Sequence, residues 1–179
     1  YSVLERNGSL NKLHETERAN RDTVRLAAML HDLGHGPFSH TSEEILARNN
    51  IGFHHAENSA ELVRKGEIRE RLSQANVDSD LISKILLHKS GTICDVILSS
   101  DLDADRIDYL QRDSFYSGVA LGLINIEGII QNLRCYRPRA IFGGSPSIAI
   151  GTEGVQAVET LLVARMLLRP AVHNCAQAR

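Results

Sequence analysis

The sequence has few of the residues that stabilise small secreted proteins. Its 179 residues include three cysteines, four prolines and no tryptophan, and aromatic residues make up only 4% of the chain. Cys94, Cys135 and Cys175 are odd in number, widely spaced and outside any C-x-x-C pattern, which argues against a disulfide framework or a zinc knuckle. No apolar run approaches the roughly 20 residues of a transmembrane helix. We therefore expect a cytoplasmic protein without a membrane span.

The chain also lacks an excess of either charge. Twenty Lys and Arg residues face 22 Asp and Glu residues, which gives a net charge of −2 and predicts no general attraction to nucleic acid. The chain opens YSVLERNGSLNK, without Met or a signal peptide, and it ends while a helical pattern is still running. We expect a single domain over residues 1–179 that is cut at both ends.

Helical periodicity dominates what is present. Capping residues and apolar spacing predict helices over residues 21–33, from about residue 40, and over residues 57–65, 80–89, 92–99, 103–114 and 126–133, with a last helix from residue 152. The expected caps are Asn20 or Asp22, Ser39 or Thr41, Asp78 or Ser79, Asn125 and Thr152. The first of these helices is apolar most of the way round, so we expect it to be buried together with His31.

Two further patterns complete the expected fold. The last helix carries Val155, Val158, Leu162 and Arg165 on one stripe, which predicts an amphipathic helix. In RAIFGGSPSIAI, two β-prone runs flank a Gly-Gly-Ser-Pro turn, which predicts a small β-hairpin near residues 138–150. The predicted fold class is all-α, with this one hairpin.

The helix over residues 21–33 contains an adjacent His31-Asp32 pair close to its end. Neighbouring residues on a helix differ by about 100° in direction, so an imidazole nitrogen and a carboxylate oxygen can reach one point. A divalent cation there would remove the cost of a buried, unpaired carboxylate. The alternative is a core histidine beside a carboxylate that caps or pairs locally.

More titratable side chains follow this pair. Gly34 and Gly36 allow a tight turn, and His35 and His40 add imidazoles whose ordinary pKa of about 6.5 suits proton transfer near neutral pH. His55 adds another, whereas we expect the neighbouring His54 to be an exposed surface residue. Such a cluster suits a reacting phosphate.

The segment DLDADRIDYLQRD, residues 101–113, is the second dense stretch of polar residues. On a helix its polar face holds Asp105, Asp108, Tyr109 and Arg112, with Asp113 at the margin, while Ile107 and Leu110 point to the core. This face is either a functional site or a solvated surface with Asp–Arg pairs.

Together, HDLGHGPFSH and DADRIDYLQRDSFYSG resemble the HD-domain phosphohydrolases. The resemblance is to the branch of deoxynucleotide triphosphohydrolases that includes bacterial dGTPases and the mammalian SAM-and-HD-domain enzyme, and it extends from about residue 21 to residue 179. It implies a divalent metal ion (Mg, Mn, Fe, Ni, Co or Zn), a nucleotide substrate and a homo-oligomer.

The resemblance also implies roles for individual residues. His31, Asp32 and Asp105 match three of the family's four metal ligands. The fourth, an upstream histidine, has no match, because His14 lies among polar residues and is expected at the surface. His35, His55 and Glu43 match a catalytic proton relay. The matches to substrate-binding residues are His40, Arg106, Tyr109, Asp113 and Arg165. The match weakens beyond them, where His173 and Cys175 replace residues expected to be Tyr and His.

These assignments imply a metal-dependent phosphohydrolase that releases deoxynucleoside and triphosphate from a deoxynucleoside triphosphate. His35 would protonate the leaving oxygen. Two alternatives stay open: a phosphatase or phosphodiesterase that acts on another nucleotide, and a nucleotide-binding or assembly module without catalysis. The missing ligand and the altered C-terminal segment favour the second alternative, and nothing in the sequence identifies the base.

Overall fold

A computed structural model describes residues 1–121, 123–137 and 144–173. In these ranges the chain is mostly helical with one two-stranded antiparallel sheet, which confirms the predicted fold class. The helices are α1 (Ser2–Arg6), α2 (Arg21–Leu30), α3 (His40–Arg48), α4 (His55–Leu62), α5 (Gly66–Gln74), α6 (Ser79–Leu86), α7 (Ile93–Leu98), α8 (Ala104–Ser117), α9 (Ile126–Gln131) and α10 (Val155–Leu168). The strands are β1 (Leu133–Tyr136) and β2 (Ser147–Ile150). Among the described helices, none combines the length and apolarity needed to cross a membrane.

The chain divides into two compact units. The central unit is Glu15–Asp95 and contains α2 to α6. The terminal unit combines Tyr1–His14 with Val96–Arg179 and contains α1, α8 to α10 and both strands.

Helix α6 organises the central unit because it packs against α2, α4 and α5. Its Ile82 and Ile85 are completely buried. Burying such a side chain stabilises a fold by roughly 1.5–3 kcal/mol. The other buried apolar residues of these helices are Val24, Ala27, Ala60, Val63, Leu72 and Leu86. The predicted caps form here: the Asn20 side chain accepts a hydrogen bond from Thr23 N at 2.7 Å, and Asp78 accepts one from Asp80 N at 2.8 Å.

The prediction that the first helix is buried all round is wrong. Helix α2 ends at Leu30, and only Thr23, Val24 and Ala27 on it are buried. Met29 is 79% exposed and Leu33, in the turn after the helix, is 42% exposed. Within the central unit, α6 covers one face of this helix and leaves the opposite face open.

One helix start agrees with the prediction and another differs from it. Helix α3 begins at His40, which places Thr41 in its first turn, and Ser39 occupies the cap position without a side-chain cap bond. Helix α4 begins at His55 rather than near residue 57. Because of this earlier start, His55 is a helical residue, and the next turn of α4 follows it in the chain.

The terminal unit packs α8 and α9 against α10. Its core consists of Leu110, Ile129, Ala157, Leu161 and Leu168. The Asn125 side chain caps α9 as predicted, since it accepts a hydrogen bond from Gly128 N at 2.9 Å.

The predicted apolar stripe of the last helix is wrong. Val155 and Leu162 are 41% and 46% exposed, whereas the buried face holds Ala157, Leu161, Ala164 and Leu168. The helix is apolar on nearly every side, so periodicity does not identify the buried face. Thr152 begins a short 3₁₀ turn ahead of the α-helix, close to the predicted start.

The sheet pairs β1 with β2, with Leu133 opposite Ile150 and Tyr136 opposite Ser147. Strand β2 is the second β-prone run of the predicted hairpin. The first run, residues 138–143, lies outside the described residues, and the strand that pairs with β2 comes before it in the chain.

Candidate metal and histidine site

The His31-Asp32 pair lies in the turn directly after α2. His31 Nδ1 is 2.8 Å from the backbone oxygen of Ala28. A carbonyl oxygen only accepts hydrogen bonds, so Nδ1 carries the proton and donates, and Nε2 of the neutral ring carries a lone pair. That Nε2 atom lies 3.3 Å from Asp32 Oδ1. Two electron-pair donors directed at one region fit a divalent cation.

The burial of this pair differs from the prediction. The His31 side chain is 31% exposed and the Asp32 side chain is 58% exposed. The Nε2 atom of His31 is itself buried, whereas the Asp32 carboxylate is exposed. His31 is therefore only partly buried, and its local pairing with Asp32, which the alternative also expects, is present at 3.3 Å.

His35 extends the pair toward a histidine cluster. Its Nε2 atom lies 3.2 Å from Asp32 Oδ1, the same oxygen that faces His31, and its side chain is only 16% exposed. The His35 ring stacks on the His55 ring, with centroids 4.0 Å apart and planes 8° apart. His40 stands edge-on to both rings at 5.0 and 5.1 Å.

Glu43 holds this cluster together from α3. Its Oε1 accepts hydrogen bonds from the backbone nitrogen of His55 at 2.6 Å and from His55 Nδ1 at 2.7 Å, while Oε2 accepts one from His40 Nδ1 at 3.1 Å. Burial alone would raise the pKa of Glu43, but these hydrogen bonds from His40 and His55 and the charge of His55 outweigh it and lower the pKa to about 2. Glu43 is thus a carboxylate throughout the physiological range.

The pKa of His55 is lowered from its ordinary value. The main cause is burial, and the positive charges of His35 and His40 act in the same direction, while the hydrogen bond and charge of Glu43 oppose them. His55 is therefore neutral near pH 7, with Nδ1 donating to Glu43 and a lone pair on Nε2.

The same four side chains form a possible metal-ligand set. One ligand atom from each of His35, His40, Glu43 and His55 lies within 4.8 Å of the other three. His35 Nδ1 is buried, and no hydrogen-bond partner for it occurs within residues 1–121, 123–137 and 144–173. The sequence predicted these residues as a proton relay and a substrate contact. The structure brings all four together.

Sequence reasoning missed two residues of α4 that hold the His-Asp turn. The Ser59 hydroxyl accepts a hydrogen bond from Gly34 N and donates one to the His31 carbonyl, both at 2.8 Å, and Asn58 Nδ2 donates to the Gly34 carbonyl at 2.9 Å. A Cβ at Gly34 would overlap the backbones of Ser59 and His55. The available signal was the spacing of His55 and Ser59, one helical turn apart, but the predicted helix began after His55.

The second motif lies on α8 of the terminal unit. Asp103 caps this helix, because its carboxylate accepts hydrogen bonds from Arg106 N at 2.6 Å and Ser100 N at 3.1 Å. The Arg106 guanidinium donates to the Ser100 carbonyl at 2.5 Å and lies within 4 Å of Asp101 and Asp103. Its side chain is only 20% exposed, so the helix start holds this predicted phosphate ligand in place.

The polar face of α8 divides into two parts. Arg112 and Asp108 form an exposed pair with N–O distances of 2.9 to 3.1 Å, which confirms the surface alternative for these two residues. Asp105 is exposed, and Tyr109 and Asp113 are half-buried on the same side of the helix.

The remaining predicted residues have these positions. Arg165 is half-buried on α10, and His14 and His54 are exposed, as expected for surface residues. Cys94 and Cys135 are buried, and burial raises the pKa of both thiols. Cys175 and the side chain of His173 lie outside the described residues. The predicted site residues of the central unit are His31, Asp32, His35, His40, Glu43 and His55, and those of the terminal unit are Asp105, Arg106, Tyr109, Asp113 and Arg165.

Comparison with known proteins identifies the family. The family model of the HD domain matches residues 6–113. An uncharacterized protein of Methanocaldococcus jannaschii, MJ1154, is 34% identical over 169 residues, which cover 91% of this chain and 32% of that protein. The uncharacterized protein YwfO of Bacillus subtilis is 33% identical over 156 residues, or 84% of this chain and 33% of YwfO. The chain belongs to the HD-domain family.

A named enzyme also occurs among the relatives. The deoxynucleoside triphosphate triphosphohydrolase SAMHD1 homolog of Dictyostelium discoideum is 30% identical over 148 residues, which cover 73% of this chain and 28% of that enzyme. The chain spans about a third of the length of the curated relatives it matches. These matches confirm the resemblance to HD-domain phosphohydrolases with relatives in the triphosphohydrolase branch. HD domains bind divalent metal ions, and His35, His40, Glu43 and His55 form one set of side chains that could hold such an ion.

Proposed function

We propose that this chain is the catalytic HD domain of a deoxynucleoside triphosphohydrolase, which releases deoxynucleoside and intact triphosphate. The observation that carries the proposal is the position of Asp32 Oδ1, 3.3 Å from His31 Nε2 and 3.2 Å from His35 Nε2. One carboxylate oxygen thus joins the metal-binding pair to the histidine cluster. The relationship to the Dictyostelium enzyme supports the substrate class.

His31 and Asp32 would hold the divalent ion, and the family resemblance adds Asp105 as a third protein ligand. The lone pair on His31 Nε2 and the adjacent carboxylate oxygen suit such an ion. A divalent ion supplies Lewis acidity, which makes a phosphoryl group more electrophilic and water more acidic. Replacement of Asp105 by Ala should then deplete the bound metal, and an unchanged metal content by elemental analysis would remove Asp105 from the ligand set.

His35 is the proposed general acid. Its Nε2 faces the Asp32 carboxylate, which favours a proton on that nitrogen, and the stacked ring of His55 fixes the orientation of its own ring. Glu43 contributes a negative charge to the cluster. In the reaction, a water oxygen would bond to the α-phosphorus, the bond from the 5′-oxygen to that phosphorus would break, and His35 would donate its proton to the departing 5′-oxygen.

Five residues would bind the substrate in this proposal. Tyr109 packs against the deoxyribose, and Asp113 accepts a hydrogen bond from its 3′-hydroxyl. Arg106 and Arg165 bind phosphate oxygens, because a guanidinium presents several N–H donors in one plane. His40, whose side chain is 71% exposed, would contact the substrate from the cluster.

The test is an activity screen of deoxynucleoside triphosphates, other nucleotides and a phosphodiester, each with several divalent metals. We expect hydrolysis of deoxynucleoside triphosphates with inorganic triphosphate as the product, identified by ³¹P NMR. Pyrophosphate or orthophosphate as the first product would contradict attack at the α-phosphorus. Hydrolysis of other substrates alone would favour the phosphatase alternative, and binding without hydrolysis would favour the non-catalytic module.

The role of His35 is tested by His35→Ala, with His14→Ala as the matched control. The control removes an exposed imidazole that lies outside the cluster of four and outside the central unit. General acid catalysis contributes typically 10²–10⁴-fold, so we expect His35→Ala to lower kcat by about a hundredfold or more and to retain bound metal. Equal turnover of the two variants would refute the assignment of His35.

A further inference from the structure

Ser59 connects the two halves of the central site. It is completely buried on α4, one helical turn after His55. Its hydroxyl makes two hydrogen bonds to the His-Asp turn, since it accepts from Gly34 N and donates to the His31 carbonyl, each at 2.8 Å. The same hydroxyl therefore contacts the backbone of the metal-binding pair and the backbone of the turn that leads to His35.

Helix α4 also carries the other half of the site. His55 is its first residue, and both the backbone nitrogen and the ring of His55 bind Glu43. A helical turn is a rigid spacer, so a hydroxyl fixed at Ser59 fixes the position of His55 relative to the turn. The absence of a side chain at Gly34 permits this close approach.

We propose that Ser59 is a positioning residue that aligns the His31-Asp32 pair with His35 and His55. Its catalytic consequence rests on the proposed function, but its effect on metal binding does not. The Ser59 bond to the His31 carbonyl acts on the residue whose Nε2 faces the ion site. Partners bonded directly to the side chain of a metal ligand typically change metal affinity by 10–100-fold when they are removed, and Ser59 acts through the His31 backbone, so the lower end of this range applies.

A purely structural role for Ser59 is the competing explanation, and the chain offers a matched control for it. Ser83 on α6 is also completely buried in the central unit, and its hydroxyl donates to the Ala60 carbonyl at 2.9 Å. Ser83→Ala removes a buried serine hydroxyl without removing any hydrogen bond to the His-Asp turn.

The experiment measures Mn²⁺ binding to the whole chain by EPR, without nucleotide, for the wild type, Ser59→Ala and Ser83→Ala. We expect Ser59→Ala to weaken Mn²⁺ binding by about tenfold and Ser83→Ala to change it less than twofold. In turnover assays at saturating Mn²⁺, Ser59→Ala should lower kcat with little change in KM. The variant Asn58→Ala removes the bond to the Gly34 carbonyl and should weaken Mn²⁺ binding in the same direction, which keeps the test decisive if Ser59→Ala does not fold.

Equal Mn²⁺ affinity in the wild type, Ser59→Ala and Asn58→Ala would overturn the proposal, as would an equal loss in Ser83→Ala. A wild-type chain that binds no Mn²⁺ would also overturn it. If the Ser59-dependent change in affinity is found in a chain that hydrolyses no nucleotide, the positioning role stands and the proposed function fails. If hydrolysis is found and Ser59→Ala leaves the Mn²⁺ affinity and kcat unchanged, the proposed function stands and the positioning role fails.

Discussion

Replacement of Glu43 by Gln tests the account of the histidine cluster. In the wild type, Glu43 accepts three hydrogen bonds, two from His55 and one from His40. Hydrogen bonds to a charged group contribute roughly 1.5–3 kcal/mol and neutral ones about 0.5–1.5 kcal/mol. Gln retains one carbonyl oxygen, which can keep the two bonds from His55 at about 1 kcal/mol less each. The ring of His40 is 71% exposed and can bind water instead. We expect a loss of about 2 kcal/mol in the free energy of unfolding at pH 7.

The effect should depend on pH with a defined sign. The pKa of Glu43 falls from 4.5 to about 2 on folding, so its stabilising contribution is complete above about pH 4.5 and is lost as the pH falls toward 2. Urea unfolding followed by circular dichroism, repeated between pH 7 and pH 2, should show the wild type and Glu43→Gln converging at low pH.

The matched control for this prediction is Glu44→Gln. The Glu44 side chain is 72% exposed and pairs only with Arg48 at 3.5 Å among the described side chains. Exposed pairs contribute about 0–1 kcal/mol, so the control should change stability at pH 7 by less than Glu43→Gln does. Equal stability of the two variants at pH 7, or a difference that does not change with pH, would refute the reasoning about Glu43.

Two further predictions follow from the same unit. Gly34→Ala should lower the free energy of unfolding by about 1–3 kcal/mol, because the new Cβ overlaps the backbones of Ser59 and His55. In the control Gly52→Ala the new Cβ meets no atom within 4 Å, so this variant should not destabilise the fold. Equal urea midpoints of the two variants would contradict this prediction. The ring of His55 should titrate below pH 6.5 in an NMR titration, and Glu43→Gln should lower its pKa further. Since burial lowers this pKa on folding, His55 adds stability that is complete above about pH 6.5 and lost as the pH falls through the folded pKa.

Helix starts were predictable where a cap acts locally. Asn20, Asp78 and Asn125 each accept a hydrogen bond from a backbone nitrogen two or three residues later, so a short stretch of sequence contains the whole interaction. The fold class was predictable for the same reason, because apolar spacing and caps together specify helices.

Features that depend on distant partners were not predictable in this way. Helix α10 is apolar on nearly all sides, so its buried face depends on where α8 and α9 lie. The sheet is a second case, since β2 pairs with β1, and the turn sequence before β2 does not specify that partner.

In the candidate site, too, some features were predictable from the sequence and others were not. The resemblance identified His35, Glu43 and His55, and the structure brings them into one cluster. Their shared support by Ser59 was not predicted, because the predicted helix began after His55 and so did not place Ser59 one helical turn from it. Ser59 and His31 are 28 residues apart in the sequence, and only the folded chain brings them into contact.

The most direct test of the central claim, that His31 and Asp32 hold a divalent ion, is the Mn²⁺ affinity of Asp32→Asn measured by EPR. Asn keeps the shape of the side chain and removes its charge. We expect binding to weaken at least tenfold, while Asp108→Asn, which alters an exposed carboxylate paired with Arg112, should bind Mn²⁺ as the wild type does. Wild-type affinity in Asp32→Asn would contradict the claim.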